Sequence, residues 1–116
     1  MSMTATSPTR QTVEYRVSIV DDVCEDVQTI PLGSVTTYGD IGSRIGVAPR
    51  QVGRAVSLLD ANVPWWRVVR ADGTPATCHG GRARALLIEE GVPFHANGWR
   101  VDMNRARYPG AGAGRQ

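Results

Sequence analysis

The sequence lacks an apolar run long enough to span a bilayer, and its first residues lack the apolar segment of a secretory signal. Cysteine is scarce: Cys24 and Cys78 are the only two, which is too few for a disulfide framework. These absences predict a cytoplasmic protein with reduced thiols and no membrane partner.

Catalytic and metal-binding signatures are missing as well. The sequence has no glycine-rich phosphate loop, no Ser-His-Asp order and no H-E-x-x-H motif. The side chains that could bind a metal are not at recognised ligand spacings, and they are Cys24, Cys78, His79 and His95. We therefore predict no metal site and no cofactor.

Lysine is absent altogether, so all 13 basic residues are arginines. Residues 1–40 hold two arginines against six acids, a balance of −4, whereas residues 41–116 hold eleven arginines against five acids, a balance of +6. A basic C-terminal part indicates a phosphate-binding surface. A solvated arginine-rich face is the alternative, and charge alone does not separate the two.

With 116 residues, 41% of them hydrophobic, the chain is sized for one domain around one core. Residues 1–11 are rich in Ser, Thr and Pro and predict a disordered N-terminus. We assign residues 12–104 to the folded domain, and residues 105–116, which are rich in Gly, Ala and Arg, to a flexible tail.

The first predicted element is an amphipathic helix over residues 13–29, ended by Pro31 and Gly33. Its outer face is acidic. Its apolar face comprises Val13, Val17, Val20, Cys24 and Val27.

Two shorter helices are predicted next. Thr37 lies three residues before Asp40, a spacing that resembles a capping box. The helix that it begins is predicted over residues 38–44, and Gly46 ends it.

Pro49 lies in the first turn of the second helix, which is predicted to continue to about residue 59. Its apolar residues lie on one face and its arginines on another; they are Val52, Val56 and Leu59, and Arg50 and Arg54. Two short helices joined by a glycine-containing turn predict a helix-turn-helix.

The remaining sequence predicts smaller elements. NVPWWRVVRADGTPA indicates a loop, a short strand and an Asp-Gly turn. GGRARALLIEEG indicates a glycine pair followed by a helix that ends at Gly91. FHANGWRV indicates a hairpin around an Asn97-Gly98 turn.

Four motifs stand in order along the chain: IPLGSVTTYGDIG, RQVGRAV, VPWWRVV and GG…LLIEEG. Together, over roughly residues 16–95, they resemble the DNA-binding domain of the O6-alkylguanine-DNA alkyltransferases. In those enzymes the third motif reads VPCHRVV, where Cys accepts the alkyl group and His activates it. Here Trp65 and Trp66 take these places. Tryptophan in place of the cysteine is the mark of the alkyltransferase-like proteins, which keep the DNA-binding domain and lose the chemistry.

The resemblance implies a mainly α fold with small β elements. It further implies a winged-helix-like helix-turn-helix domain, as in the C-terminal domain of the alkyltransferases. The protein is then expected to be a monomer that docks in the minor groove of double-stranded DNA.

The resemblance also assigns DNA contacts to the predicted helix-turn-helix. Tyr38 matches the tyrosine that rotates the target nucleotide out of the duplex, and Thr37 precedes it. Arg50 matches the arginine that enters the base stack, which a planar guanidinium suits; Arg54, one helical turn later, is the alternative. Gly53 would permit either close approach of a DNA backbone or a close helix–helix contact.

The lesion pocket implied by the resemblance comprises Trp65, Trp66, Arg67, Val68, Cys78, Gly80 and Gly81. Trp65 can wall such a pocket and stack on an extruded base, although a core tryptophan is the alternative. Trp66 could instead fill the cavity. Glu90 matches the glutamate that orients the enzymes' histidine, and without that histidine we predict that it pairs with an arginine or caps backbone groups.

We therefore expect a non-enzymatic, nucleoid-associated DNA-damage sensor. It would flip O6-alkylguanine into the tryptophan-lined pocket and flag the lesion for nucleotide excision repair, whose proteins are expected partners. Three alternatives stay open. The protein could be a general helix-turn-helix DNA binder or regulator without lesion recognition, an enzyme that uses Cys78, or a protein-interaction module built on the acidic helix.

Overall fold

A computed structural model describes residues 19–109, and helices dominate this part of the chain. Residues 19–28 are helical and are named α1. The elements that follow are β1 (Thr36–Thr37), α2 (Tyr38–Ile45), α3 (Pro49–Ser57), β2 (Val68–Val69), α4 (Ala83–Glu89) and α5 (Met103–Ala106), with 3-10 turns at Trp65–Arg67 and His79–Gly81. The predicted class, mainly α with small β elements, is confirmed.

Helix α1 directs an apolar stripe into the core. Ile19, Val23 and Val27 are buried, and Val20 and Cys24 are half-buried beside them. The centre of the stripe is thus one residue away from the predicted face, because the i, i+4 series from Ile19 points inward. The acidic outer face includes the exposed Asp21, Asp22 and Glu25. The predicted positions before residue 19 lie outside the described residues.

Helix α2 begins at the predicted capping box. The Asp40 amide donates to Thr37 Oγ1 at 2.9 Å, and the Thr37 amide donates to Asp40 Oδ2 at 3.4 Å. The helix ends at Ile45, one residue later than predicted. Gly46 follows in the left-handed conformation with φ 80°, and its amide donates to Gly42 O.

Helix α3 begins at Pro49, as predicted, and ends at Ser57 rather than at residue 59. Its apolar side faces the core, where Val52, Ala55 and Val56 are buried. The last turn tightens, since the Leu58 amide bonds to Ala55 O. Helices α2 and α3 pack directly on each other, so the predicted helix-turn-helix is present.

The strands β1 and β2 pair in parallel, with Thr36 opposite Val68 and Thr37 opposite Val69. This pairing was not predicted, because a two-residue strand carries no alternation of apolar and polar residues. The predicted Asp72-Gly73 turn follows β2, where an antiparallel bridge joins Val69 to Pro75. The predicted Asn97-Gly98 hairpin is also present, with Phe94 bridging Val101.

The last described segment holds the chain to the domain. Helix α5 runs through Ala106, whose carbonyl accepts from the Val35 amide at 2.9 Å. The Tyr108 amide donates to Val35 O at 2.7 Å. The domain boundary predicted at residue 104 is therefore too early. The predicted disordered residues 1–11 and the end of the predicted tail lie outside the described residues.

The core consists of two buried clusters. The larger is formed by α1, α2 and α3 around Trp65, and the smaller by residues including Val35, Val69, Leu87 and Val101. Trp66 packs against both clusters. Within residues 19–109, no helix is both long and apolar enough to cross a bilayer.

Candidate nucleic-acid interface

A cavity of about 360 Å³ opens where α2 and α3 begin. It is lined by Tyr38, Pro49, Arg50, Gly53, Arg70 and Thr77. Three residues predicted to contact DNA, Tyr38, Arg50 and Gly53, are thus brought together at one depression. Arg54 is exposed one turn further along α3.

Tyr38 joins the two helices at this cavity. Burial raises the pKa of its phenol to about 12, with a smaller rise from Cys78 and a lowering effect from Arg70. The phenol therefore keeps its proton near neutral pH and can donate a hydrogen bond. The half-buried ring also packs against the larger core cluster.

Gly53 lies against the Tyr38 ring. A side-chain carbon built at this position would meet Tyr38 Cδ1 and Cε1 at 3.8 Å, an ordinary van der Waals distance. The contact between α2 and α3 consequently does not require glycine here. A methyl group would, however, occupy space at the mouth of the cavity.

Arg50, Arg54 and Arg70 are exposed, and within the described residues none of them pairs with a carboxylate. Several other arginines are bound to carboxylates of the same protein. Arg44, for example, makes two hydrogen bonds to Asp26 at 2.7 and 2.8 Å. The unpaired guanidinium groups cluster near the cavity, so they are available to an anionic ligand.

Arg70 and Thr77 were not singled out from the sequence. The register of the two strands carries a signal for Arg70: since Thr37 pairs with Val69, the next residues, Tyr38 and Arg70, come side by side. That signal is visible only once the pairing is known. Thr77 lines the same cavity from the loop that leads to Cys78.

Thr37 is not placed as an exposed contact residue. Its side chain is buried and its hydroxyl accepts the Asp40 amide of the helix cap. Its amide completes the capping box with Asp40. In the structure Thr37 therefore positions Tyr38.

Trp65 is the largest fully buried side chain of the described residues. The His79 ring stacks on it at 4.2 Å between centroids with planes 13° apart, and the Trp66 ring meets it edge-on at 5.8 Å. The Trp65 Nε1 hydrogen has no acceptor within the described residues. Trp65 is therefore a core tryptophan, the second of its two predicted positions. It is not among the residues that line the cavity beside Arg50.

Trp66 is directed towards Glu90. Its Nε1 donates to Glu90 Oε2 at 2.9 Å, and Arg67 donates to both oxygens of the same carboxylate at 2.8 and 2.9 Å. Burial alone would raise the pKa of Glu90, but the bonds from Arg67 and Trp66 outweigh it and lower the pKa. The predicted pairing of Glu90 with an arginine is confirmed.

Through these bonds Trp66 and Arg67 stabilise the fold, and neither residue lines the cavity. Arg67 Nη1 also donates to Ile30 O at 2.8 Å, which ties the end of α1 to the same network. Val68, a further predicted pocket residue, is fully buried in β2.

The predicted pocket residues after β2 lie on one loop. Cys78 is half-buried, and burial raises the pKa of its thiol. Gly80 and Gly81 are exposed and left-handed, with φ 74° and 72°. Among the described residues, no group of three or more His, Cys, Asp or Glu side chains could hold a metal ion.

Residues 18–92 match the family described as 6-O-methylguanine DNA methyltransferase, DNA binding domain. The chain is 36% identical over 107 residues to the DNA base-flipping protein of Escherichia coli, covering 87% of this chain and 82% of that protein. It is 37% identical over 90 residues to alkyltransferase-like protein 1 of Schizosaccharomyces pombe, covering 71% and 80%.

The fold matches a solved structure from the same yeast. The crystal structure of S. pombe Atl1 in complex with damaged DNA containing O6-carboxymethylguanine superposes with a TM-score of 0.69 at 29% identity. The match covers 79% of this chain and 95% of Atl1.

The helix-turn-helix, the unpaired arginines and the cavity define a small DNA-binding domain. The chain belongs to the 6-O-methylguanine DNA methyltransferase DNA-binding domain family and, within it, to the alkyltransferase-like and base-flipping proteins.

Proposed function

We propose that this protein binds double-stranded DNA containing O6-alkylguanine, rotates the damaged nucleotide out of the helix and holds it without removing the alkyl group. One observation carries the proposal: Tyr38, Arg50 and Gly53 converge on one cavity with Arg70. A protonated phenol and two unpaired guanidinium groups around one depression suit a phosphate and its displaced base.

Arg50 is the residue that enters the base stack in this proposal. It lies in the first turn of α3, directly after Pro49, and its guanidinium is exposed. A guanidinium plane can stack between base pairs and donate to the partner base left behind. Arg54 and Arg70 then lie beside it as phosphate contacts.

Tyr38 rotates the nucleotide. Its hydroxyl carries a proton near neutral pH, as an ordinary phenol does, and burial, which raises its pKa to about 12, keeps it so; it can therefore donate to a phosphate oxygen. Its ring packs against the core, and room for about one methyl group remains between the ring and Gly53 of α3. The side chain thus combines a hydrogen-bond donor with a rigid body that crowds the DNA backbone.

The protein does not transfer the alkyl group. Trp65 and Trp66 stand at the positions that the resemblance gives to the acceptor cysteine and its histidine, and an indole offers neither a thiolate nor a base. The Glu90 carboxylate is engaged by Arg67 and Trp66. The raised pKa of Cys78 keeps that thiol protonated, which opposes the alternative of an enzyme using Cys78.

The preference for damaged DNA is expected to be moderate. Base extrusion costs a few kcal/mol, and less for a base that already pairs badly. Stacking of the extruded base on an aromatic side chain returns roughly 1–3 kcal/mol. Because the two terms are similar in size, intact DNA binds too, more weakly. The monomeric complex then marks the lesion for nucleotide excision repair proteins in the nucleoid.

A second candidate is a general DNA binder without lesion recognition. It is favoured by one observation, the coverage of Trp65 by His79. Such a protein keeps the arginine-rich face and its salt dependence but is indifferent to alkylation.

A titration at fixed salt separates the candidates. The duplex carries one O6-methylguanine or one guanine, and tryptophan emission reports on the site. Trp99 is 68% exposed and would add background emission, so a Trp99→Phe variant is used. Tighter binding and quenching with the lesion duplex support the sensor, whereas superimposable curves favour the general DNA binder.

A further inference from the structure

The stacking face of Trp65 is already occupied by a side chain of the same protein. The His79 imidazole lies nearly parallel to the indole, at 4.2 Å and 13°. His79 Nε2 is 2.7 Å from Leu59 O, and because a carbonyl only accepts, Nε2 donates. An imidazole is a flat aromatic ring with polar edges, as is the five-membered ring of a purine.

The indole N–H beneath this ring is an unmet donor. Trp65 is fully buried, and its Nε1 has no acceptor within the described residues. His79 does not supply one, since its Nδ1 lies 3.2 Å from Cys78 Sγ and its Nε2 is bound to Leu59 O. An indole N–H lies in the plane of its ring, so an acceptor for it has to lie beside the edge of Trp65 and not on the face that His79 covers.

The loop that carries His79 is strained and has space to move. His79 is the only non-glycine residue with positive φ, 55°, in the described part of the chain. Gly80 and Gly81 follow with positive φ, and a side-chain carbon built on either glycine would meet no described atom within 4 Å. A strained residue beside two unhindered glycines is a place where a loop can turn outward.

This loop also adjoins the cavity at α3. Thr77 lines the cavity directly, and Cys78 packs against the same core cluster as Tyr38. An extruded base that enters beside Tyr38 would thus meet the loop before it reaches Trp65.

We propose that His79 is a displaceable occupant of the base site: an extruded alkylated purine takes the place of the imidazole on Trp65, and the Gly80-Gly81 segment carries His79 outward. This inference rests on the proposed function and adds one free-energy cost to base binding, the displacement of His79 from Trp65. Every incoming base must displace the same imidazole. A damaged base, which costs less to extrude, displaces it more readily than an intact one.

The direct test follows the imidazole in the unmodified protein. With ¹³C-labelled histidine, the ring current of Trp65 should shift the His79 ring protons upfield in the free protein. Addition of an O6-methylguanine duplex should move them to the position of an exposed histidine. The exposed His95 serves as the internal reference, and a matched guanine duplex should leave His79 stacked.

The outcomes separate the two proposals. Preferential binding of the lesion duplex with His79 still shifted upfield overturns the displacement and leaves the proposed function intact. Equal binding of the two duplexes overturns both. Loss of the upfield shift with the lesion duplex alone supports both.

A variant pair gives an independent measurement. His79→Asn removes the aromatic ring and tolerates the positive φ, and His95→Asn is the matched control. His79→Asn should bind the lesion duplex about 2- to 10-fold more tightly, the size of one aromatic contact. Its affinity for a duplex with an abasic site should not change, because no base enters. Unchanged or weaker binding of the lesion duplex would count against displacement, and the histidine spectra decide the matter if the variant does not fold.

Discussion

The arginines on the two sides of the Trp65-Trp66 pair differ in how they are used. On the side of α4, Arg67 donates to both oxygens of Glu90 and to the Ile30 carbonyl, and its side chain is 14% exposed. On the side of α3, Arg50 and Arg70 are exposed and have no carboxylate partner within the described residues. In a chain with no lysine, Arg67 thus stabilises the fold through its carboxylate partner, whereas Arg50 and Arg70 are free to bind phosphate in the proposed function.

The largest effect is expected when the carboxylate that Arg67 and Trp66 bind is removed. Glu90→Ala leaves the half-buried Trp66 N–H without its acceptor and the half-buried Arg67 guanidinium with only the Ile30 carbonyl. We expect the free energy of unfolding to fall by about 3 kcal/mol, as for other broken interior pairs. Urea denaturation measures it. Glu89→Ala removes the neighbouring exposed carboxylate, which has no side-chain partner among the described residues, so it is the control and should leave the urea midpoint nearly unchanged.

The same pair predicts a response to acid. Hydrogen bonds hold the pKa of Glu90 below its ordinary value of 4.5 in the folded protein. Its contribution to stability is therefore complete above that value and is lost as the pH falls through the lowered pKa. Glu90→Gln should flatten this part of a stability curve measured between neutral pH and pH 3 or so. A curve as steep as that of the unmodified protein would show that other carboxylates are responsible.

The unpaired side is tested by Arg50→Ala. Because no intramolecular partner within residues 19–109 is lost, the variant should fold normally. It should bind DNA about 10- to 100-fold more weakly, a loss of roughly 1–3 kcal/mol, with a shallower salt dependence. Arg105→Ala removes an exposed arginine from α5 and is the matched control. Equal affinity losses in the two variants would mean that net charge, rather than the position of Arg50, determines binding.

Gly53→Ala is expected to affect DNA binding without lowering the stability of the fold. The added methyl group meets the Tyr38 ring at an ordinary distance and favours the helix, so stability should stay level or rise by up to about 1 kcal/mol. Binding of the lesion duplex should weaken by about fivefold, because the mouth of the cavity narrows. Anisotropy and thermal unfolding on the same samples check both. A stable variant with full affinity would exclude a role for Gly53 in DNA contact.

The last prediction is that the mass of the protein does not change on exposure to alkylated DNA. After incubation with O6-methylguanine duplex, the intact mass of the protein should be unchanged, because the raised pKa of Cys78 keeps its thiol protonated. A gain of one methyl group that is lost in Cys78→Ser would instead establish an acceptor.

Local signals in the sequence predicted much of this fold. The Thr37 and Asp40 box, Pro49 and the Asn97-Gly98 turn each act within a few residues, and all three appear where predicted. Tyr38, Arg50 and Gly53 were found because they share one short stretch of the chain. Tyr38 begins α2, and Arg50 and Gly53 lie in α3; because the two helices pack on each other, the three residues meet at one cavity.

The rest depends on contacts between distant parts of the chain. The burial of Trp65 results from three helices and from His79, and the position of Arg70 beside Tyr38 results from a two-residue strand pairing. Neither leaves a periodic pattern in the sequence. The direction of Trp66 towards Glu90 spans 24 positions, so only the folded chain decides it.

The strand pairing has one more consequence. Thr37 begins α2 at its side chain and holds Val69 at its backbone, while the turn containing Trp65 leads directly into β2. The helix-turn-helix and the segment that carries the two tryptophans are thereby joined directly by a strand pairing two residues long. In the proposed function, the spacing between Arg50 and Trp65 is therefore set by the protein and not by the DNA. Adducts of different size would then have to be accommodated by the loop around His79.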